Sequence, residues 1–393
     1  MTTIRSALCV RCPPRWLMLR VETDDGEVGW GEAIGDLHEE VEIALNAIGE
    51  RVEGSSIHDI TNLVETQRKN RFWRDGPVLE TALSALEMAL WDLKGKLLGA
   101  PVHDLLGGRV RERVRVYRNL WGCNPQEFAD SAREAISKSI TAVKVSPAGP
   151  TPAVVSRAQL NEIEAVVSAV REAVGPTIDL AIDLHGRLTP AASRRAIHAL
   201  SKYDPFFIEE PCLPDGSASH LADLRALRTA QPVAIATGER LRSAHAFSQH
   251  LLPSPVVDII QPDVSMVGGI RASVEIGAMA SAAQVAMAPH CPYGPVQFAA
   301  SMQVAATSPA HLIQEFQSLG GAGSGGGVPG GGQNWAFDLI SQPFIINAGH
   351  VEISSRPGLG IEVLEERIEE HMEMWNPHPP TVWTHVDGSH AEW

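Results

Sequence analysis

From residue 114 onward this 393-residue chain repeats one pattern, a short apolar run followed by an amphipathic stretch, with no reversal between units. After Val114-Arg-Val-Tyr117, the runs fall at residues 141–145, 178–182, 206–208, 233–236, 257–260, 285–288 and 312–313. Between 145 and 178, Ile163, Val166, Val167, Val170 and Val174 keep the spacing of one helix face, and Gly175-Pro176 stops it. Strand–helix units at this pitch imply a parallel sheet with crossover helices. Seven or eight of them in roughly 230 residues predict an α/β fold, a closed (β/α)7–8 barrel of the TIM type rather than an open doubly wound sheet. No Gly-x-Gly-x-x-Gly follows the first strand, which points the same way.

The residues before the repeat read as α+β. Trp16-Leu-Met-Leu-Arg-Val-Glu-Thr23 and Glu27-Val-Gly-Trp-Gly31 flank Asp24-Asp25-Gly26, the pattern of a hairpin with an Asp-Gly turn. From Glu80, the residues Leu83, Leu86, Leu90, Leu93 and Leu97 predict a helix that Gly99 and Pro101 end. The expected division is a capping domain over residues 1–115, a barrel over 116–335, and a segment 336–393 that packs back on the capping domain. Residues 320–332 are mostly glycine and read as a flexible loop, either a surface insertion or an element over the site.

Chemistry in such a barrel gathers where the strands end. Asp183 and Glu209 end their runs, Glu239 and Asp263 follow theirs by three residues, and His290 and Glu315 close the series, at intervals of 24 to 30 residues. Singly, each would read as a helix cap or an ion-pair partner. Six successive units delivering an ionisable group to one rim read as a site. Three carboxylates on neighbouring strands repel unless a cation sits among them. An all-oxygen set favours Mg2+, with Mn2+ the alternative, whereas zinc would recruit Cys or His. That leaves His185 and His290 for proton transfer.

Composition narrows the partners. Lys+Arg 32 against Asp+Glu 47 gives a net charge of −15, which argues against nucleic acid or an anionic membrane. An acidic substrate must then be attracted by local positive charge. The five cysteines are scattered, and Cys9-Val-Arg-Cys12 lacks the second ligand pair of a zinc site. Arginines at 5, 11 and 15 interrupt the amino-terminal apolar runs, and no apolar stretch approaches the roughly 18 residues of a membrane span. The expected location is the cytoplasm.

Several motifs resemble one family. They are Ala89-Leu-Trp-Asp-Leu-Lys-Gly-Lys96, Leu105-Leu-Gly-Gly108, Asp183-Leu-His-Gly-Arg187, Ile208-Glu-Glu-Pro211, Gly238-Glu-Arg-Leu241, Gln261-Pro-Asp263, Gly268-Gly-Ile270, Ala288-Pro-His-Cys-Pro-Tyr-Gly-Pro295 and Gln314-Glu315. The closing Asp387-Gly-Ser-His-Ala-Glu-Trp393 fits as well. The chain is identified by them as a member of the enolase superfamily, in its mandelate-racemase-like branch, most similar to the galactonate dehydratases. Sites of this superfamily pair a Lys or His base with one or two Mg2+ ions. The resemblance implies one Mg2+ on Asp183, Glu209 and Glu239, with Glu210 structural. It places the base at His290, oriented by Asp263, and the acid at His185. Glu315 lies near the substrate carboxylate, and Lys144 is an electrostatic aid to substrate binding or an ion-pair partner. Arg240 is a supporting residue or simple charge balance.

The implied reaction is removal of the carbon-2 proton of an acid sugar, such as galactonate, and loss of the 3-hydroxyl to give a 2-keto-3-deoxy acid. Ser146 stands where racemases and lactonising enzymes of the superfamily usually carry a second lysine, which argues against a two-base racemase. Residues 34–40 and the glycine-rich stretch depart from the galactonate pattern, so the sugar stays open. An epimerase or cycloisomerase would use the same enediolate, and a catalytically silent sugar-acid-binding protein would share the scaffold. The implied partners are this small molecule and further copies of the chain, from a dimer to an octamer.

Overall fold

Three antiparallel strands open the chain: β1 (Ile4–Cys12), β2 (Trp16–Thr23) and β3 (Val28–Ala33), in the order β1-β2-β3. The structure is a computed structural model that describes residues 2–214, 217–230, 232–316, 338–377 and 382–392. The glycine-rich stretch 320–332 lies outside the described residues. The β2–β3 hairpin turns at Gly26, whose N–H donates to the Thr23 carbonyl. Strand β1 escapes a reading by alternation, because a register shift between Ile4 and Ser6 breaks its period. Four helices follow, α1 (His38–Val52), α2 (Ile60–Lys69), α3 (Pro77–Leu98) and the short α4 (Val102–Leu105). Helix α3 begins at Pro77, ahead of the expected Glu80, and ends at the left-handed Gly99. Its apolar face joins β2, β3 and α1 in one core that includes Leu19, Leu45, Leu83 and Leu86.

The repeat then folds as eight parallel strands. In order they are β4 (Arg113–Asn119), α5 (Pro125–Ser137), β5 (Ala142–Val145), α6 (Arg157–Val174), β6 (Asp179–Asp183), α7 (Pro190–Leu200), β7 (Ile208–Glu209), α8 (Ala218–Ala230), β8 (Ile235–Thr237), α9 (Ala244–Leu251), β9 (Ile259–Ile260), α10 (Gly269–Ala282), β10 (Ala286–Met287), α11 (Pro295–Thr307) and β11 (Gln314–Phe316). Each strand pairs with the next from β4 to β10. The Met287–His311 bridge and the β11–β4 pairing close the barrel. The last strand occupies 314–316, immediately after the apolar pair Leu312-Ile313, of which Leu312 is 40% exposed and Ile313 buried.

The barrel interior is filled across its width. Tyr117, Ala142, Ala181, Phe207, Ala236, Ile259, Ala288 and Ile313, one for each strand, form a separate buried cluster. Large and small residues mix, with the Tyr117 and Phe207 rings edge-on at 6.1 Å. After β11 the chain makes β12 (Ile346–Asn347), β13 (His350–Glu352) and α12 (Glu365–Glu370), with β13 antiparallel to the lower half of β4. The end of the chain touches both domains. Glu365 pairs with Arg20 at 2.9 Å and Asn376 N–H donates to Pro14, while Trp383 lies under the Arg187 guanidinium at 4.3 Å. No helix among the described residues is long and apolar enough to cross a membrane.

The two domains are locked by carboxylates. Helices α5, α6, α7 and α9 carry their own side-chain caps, at Asn124, Ser156, Thr189 and Ser243. Helices α10 and α11 start at Gly268 and Gly294 and have none. Instead, Glu87 of α3 accepts from Ile270 N at 2.7 Å and Arg271 N at 3.0 Å, while Glu32 of β3 accepts from Gly294 N and, at 2.8 Å, Gln297 N. The approach requires glycine, since a Cβ on Gly269 would stand 2.1 Å from Glu87 Oε2 and one on Gly294 2.6 Å from Glu32 Oε1. Burial pushes the carboxyls up, Glu32 to about 8 and Glu87 to about 7, against the pull of the helix N–H groups. Asp92 of α3 adds a third tie, accepting from Trp30 N and from Leu359 N of the last segment.

Glu87→Ala leaves two helix N–H groups without their acceptor and should lower the unfolding free energy by about 1–3 kcal/mol. Ser243→Ala, which removes an exposed cap, should cost about 1 kcal/mol. Urea midpoints of the two variants decide it, and a Glu87 loss no larger than the Ser243 loss would show that the cross-domain cap adds nothing.

Candidate active site

Two residues beyond the apolar floor, each strand faces inward again. Those positions hold Asn119, Lys144, Asp183, Glu209, Gly238, Gln261, His290 and Glu315, at the C-terminal ends of the strands. The backbone of Gly238 turns away there with a φ of +136, and Glu239 follows it onto the rim. Lys144, Asp183, Glu209, His290 and Glu315 of the sequence reading stand on this ring, and His185, Glu239 and Asp263 lie one or two residues beyond it.

Lys144 lies inside the ring. Its Nζ is 2.6 Å from Glu209 Oε1 and 3.2 Å from Glu315 Oε1, and 5.3 Å above the Tyr117 ring. Burial opposes its charge, yet the two carboxylates more than offset this and raise its pKa well above the usual lysine value. Glu209 is fully buried. Its other oxygen accepts from Gln261 Nε2 at 2.6 Å. Burial, with the charges of Asp183, Glu239 and Glu315, pushes its carboxyl up against the pull of Lys144. Glu315 goes the other way. Although burial opposes it, Lys144, His290, the Cys291 N–H at 2.6 Å and Asn119 Nδ2 at 2.6 Å hold it down at about 2.

Asp263 and His290 form a dyad on adjacent strands. His290 Nδ1 is 2.8 Å from Asp263 Oδ2, and its Nε2 is 3.5 Å from Glu239 Oε2. Burial works against the imidazolium, but the Asp263 hydrogen bond and the charges of Glu239 and Glu315 raise His290 to about 10. On the opposite side, Asp183 Oδ1 accepts from the His185 N–H at 2.7 Å and Oδ2 from Ser146 Oγ at 3.0 Å. His185 has a left-handed backbone, φ +56, an uncommon conformation for a side chain of its size. Burial holds its imidazole below the ordinary value, with Asp183 and Glu239 pulling upward. Arg240 Nη2 donates to the His185 carbonyl at 3.1 Å, so this arginine supports the histidine-bearing turn.

Glu210 points elsewhere. With φ +39, it accepts from Thr237 Oγ1 and Gly238 N, both at 2.8 Å. Three further residues touch the site and had no role in the sequence reading: Asn119, Gln261, quoted only as part of a motif, and Gln297, whose Nε2 donates to Asp263 Oδ1 at 2.8 Å. The first two continue the inward register of their strands, so a period-of-two count would have found them. Gln297 lies on a helix and gives no such signal.

The donor set suits a hard cation by its chemistry. Asp183, Glu209 and Glu239 are carboxylates on three consecutive strands, at most 9% exposed, that repel one another. Among the described residues, no three His, Cys, Asp or Glu side chains are drawn close enough to enclose an ion as they stand. Each carboxylate oxygen has two lone pairs, so the hydrogen bonds to Glu209 do not exclude an ion there.

A closed eight-stranded barrel, a capping domain built on its C-terminal rim side and this ring of carboxylates define a class, and the chain belongs to it: the enolase superfamily, in the mandelate racemase and muconate lactonizing enzyme branch. Residues 127–367 match the family described as enolase C-terminal domain-like, and residues 4–107 match the mandelate racemase / muconate lactonizing enzyme N-terminal domain. Among curated relatives, the D-galactonate dehydratase of Variovorax paradoxus is 37% identical over 98% of both chains. The D-gluconate dehydratase of Thermoproteus tenax is 36% identical over 91% of this chain and 70% of its own. An enolase from Agrobacterium radiobacter, solved with bound Na and L-malate, superposes with a TM-score of 0.85 at 28% identity, over 99% of this chain and 98% of that one.

Lys144→Met leaves Glu209 and Glu315 buried without their cation. In chelator this should cost about 3–5 kcal/mol, the penalty for breaking a buried ion pair. Thermal melting in a divalent-free buffer measures it, and an unchanged melting temperature would mean that these carboxyls are already protonated.

Proposed function

We propose that this chain is a Mg2+-dependent dehydratase of an acid sugar, an aldonate of the galactonate kind, and that it works as a homo-oligomer in the cytoplasm. The observation that carries the reading is that His290, paired with Asp263 at 2.8 Å, and His185 follow strands four apart in the barrel and both adjoin the carboxylate cluster. The D-galactonate and D-gluconate dehydratases at 36–37% identity support the substrate class.

Asp183, Glu209 and Glu239 would hold the metal. When bound there, a divalent cation supplies Lewis-acid charge toward the substrate carboxylate. The remaining chemistry belongs to the chain's own residues. Lys144 and the Glu315–Asn119 pair line the face where the substrate carboxylate would lie, and Lys144 places a fixed positive charge inside a protein of net charge −15. His290 acts in its neutral form: with Nδ1–H held by Asp263, it presents Nε2 to the carbon-2 proton and removes it, and the electron pair moves into the carboxyl group as an enediolate. His185 protonates the departing 3-hydroxyl, which leaves as water. The enol then tautomerises to the 2-keto-3-deoxy acid. Ser146, bound to Asp183 rather than offering a second amine, favours dehydration over two-base racemisation.

Incubation with Mg2+ and a library of aldonic acids, read by a colour assay for 2-keto-3-deoxy products, tests the class. Chelator should abolish turnover, Mg2+ should restore it, and Glu209→Gln should weaken Mg2+ affinity. Full activity in chelator, or unchanged affinity in Glu209→Gln, would remove the metal assignment.

The histidines separate by isotope exchange. His290→Asn should eliminate both dehydration and exchange of the carbon-2 proton with deuterated solvent. His185→Asn should depress dehydration more than exchange, because the enediolate still forms and His290 returns the proton. Exchange that survives in the first variant and disappears in the second would reverse the roles.

A further inference from the structure

Gln297 sits in the first turn of α11 with no exposed surface. Its amide is oriented by its neighbours. Nε2 donates to Asp263 Oδ1 at 2.8 Å, and Oε1 accepts from Tyr293 N at 2.9 Å. Turning the amide over would face an oxygen to a carboxylate and a nitrogen to an N–H, so only one orientation satisfies both. The same residue's backbone N–H donates to Glu32 Oε2 of the capping domain at 2.8 Å.

Asp263 consequently has both oxygens anchored. Oδ1 accepts from Ser265 N at 2.7 Å and from Gln297, and Oδ2 faces His290 Nδ1. The loop that carries His290 is held at three of its amides. Glu315 accepts from Cys291 N, Gln297 from Tyr293 N and Glu32 from Gly294 N. We propose that Gln297, and through it Glu32 of the capping domain, are positioning residues that fix the Asp263–His290 dyad, so that docking of the capping domain assembles the base. The inference rests on the reading of His290 as the proton-abstracting base. A mere helix cap would need only the Gln297 oxygen; the donor directed at Asp263 is what that role leaves over.

The test uses the full-length protein with Mg2+. Gln297→Glu keeps an acceptor for Tyr293 N and replaces the donor facing Asp263, Gln297→Leu removes both, and Glu32→Gln weakens the helix cap. Ser156→Ala, which loses the cap of α6 far from the dyad, is the control for lost stability. Each Gln297 variant should lower kcat and carbon-2 proton exchange together by about 10- to 100-fold while KM moves little, the signature of a misplaced reacting group. Glu32→Gln should do the same more weakly, and Ser156→Ala should melt earlier with kcat unchanged. A second readout needs no substrate. The downfield proton of His290 Nδ1, identified by its loss in His290→Asn, should shift or vanish in both Gln297 variants and persist in Ser156→Ala. An unmoved resonance, or a normal kcat in Gln297→Glu, would overturn the proposal. If the wild type turns over no acid sugar, the functional reading falls, and the resonance still decides whether Gln297 positions the dyad.

Discussion

Because successive side chains of a strand point to opposite faces, the apolar floor across the barrel dictates what can stand above it. Tyr117, Ala142, Ala181, Phe207, Ala236, Ile259, Ala288 and Ile313 form one buried cluster, each at most 3% exposed. The next inward positions are the last before the loops, and they alone border both the packed interior and the mouth. The polar groups placed there are mostly buried, Glu209 and Gln261 without any exposed surface. Asp183, Glu209, Glu315 and Lys144 are therefore held in a medium of low polarity, where a charge acts over several ångströms with little screening. The chemistry follows from that level of the barrel more than from any one residue.

Such a ring is electrostatically expensive. Glu209 shows it most plainly, since three neighbouring carboxylates and its own burial raise it while Lys144 pulls it down. Glu315 resolves the same problem differently, by accepting two hydrogen bonds and facing Lys144 and His290. Adjacent carboxyls with opposite shifts are how one rim holds groups of different protonation. It is also why the acidic chain carries a buried lysine here, Lys144 being only 4% exposed. A mostly negative surface would repel an acid sugar, so attraction has to be local.

Much of the barrel was legible in the sequence, and the reason is its repetition. Asp183 and Glu209 do end β6 and β7, and the Ile163–Val174 spacing does fall within α6. What escaped was whatever lacked a period. Strand β1 carries Arg5 and Arg11 and a shifted register, so its alternation is blurred. Asn119 and Gln261 are neutral, and a search for ionisable groups passes over them although their register places them on the ring. Glu32 and Glu87 read as ordinary strand and helix residues. Their role depends on two glycine-started helices more than 180 residues away, a relation that only the folded chain contains.

Those two helices also explain why the capping domain and the barrel act as one unit. An uncapped helix start has free N–H groups and a partial positive charge, and both invite a carboxylate from outside. Helices α10 and α11 follow the strands that bear Asp263 and His290, so the domain interface and the dyad share the same loops. Glu32 ends up one step from the substrate side as well. Four residues after it, Asp36 accepts from the Tyr293 hydroxyl, on the loop that begins at His290. A single stretch of the capping domain thus holds the His290 loop at Glu32 and reaches toward the mouth at Asp36. The buried Glu32 contact is made to the first turn of helix α11, whereas Asp36 is exposed and meets the loop itself. The tie to the helix that carries Gln297 and the contact at the mouth are thus made four residues apart, by a buried and an exposed side chain of one stretch.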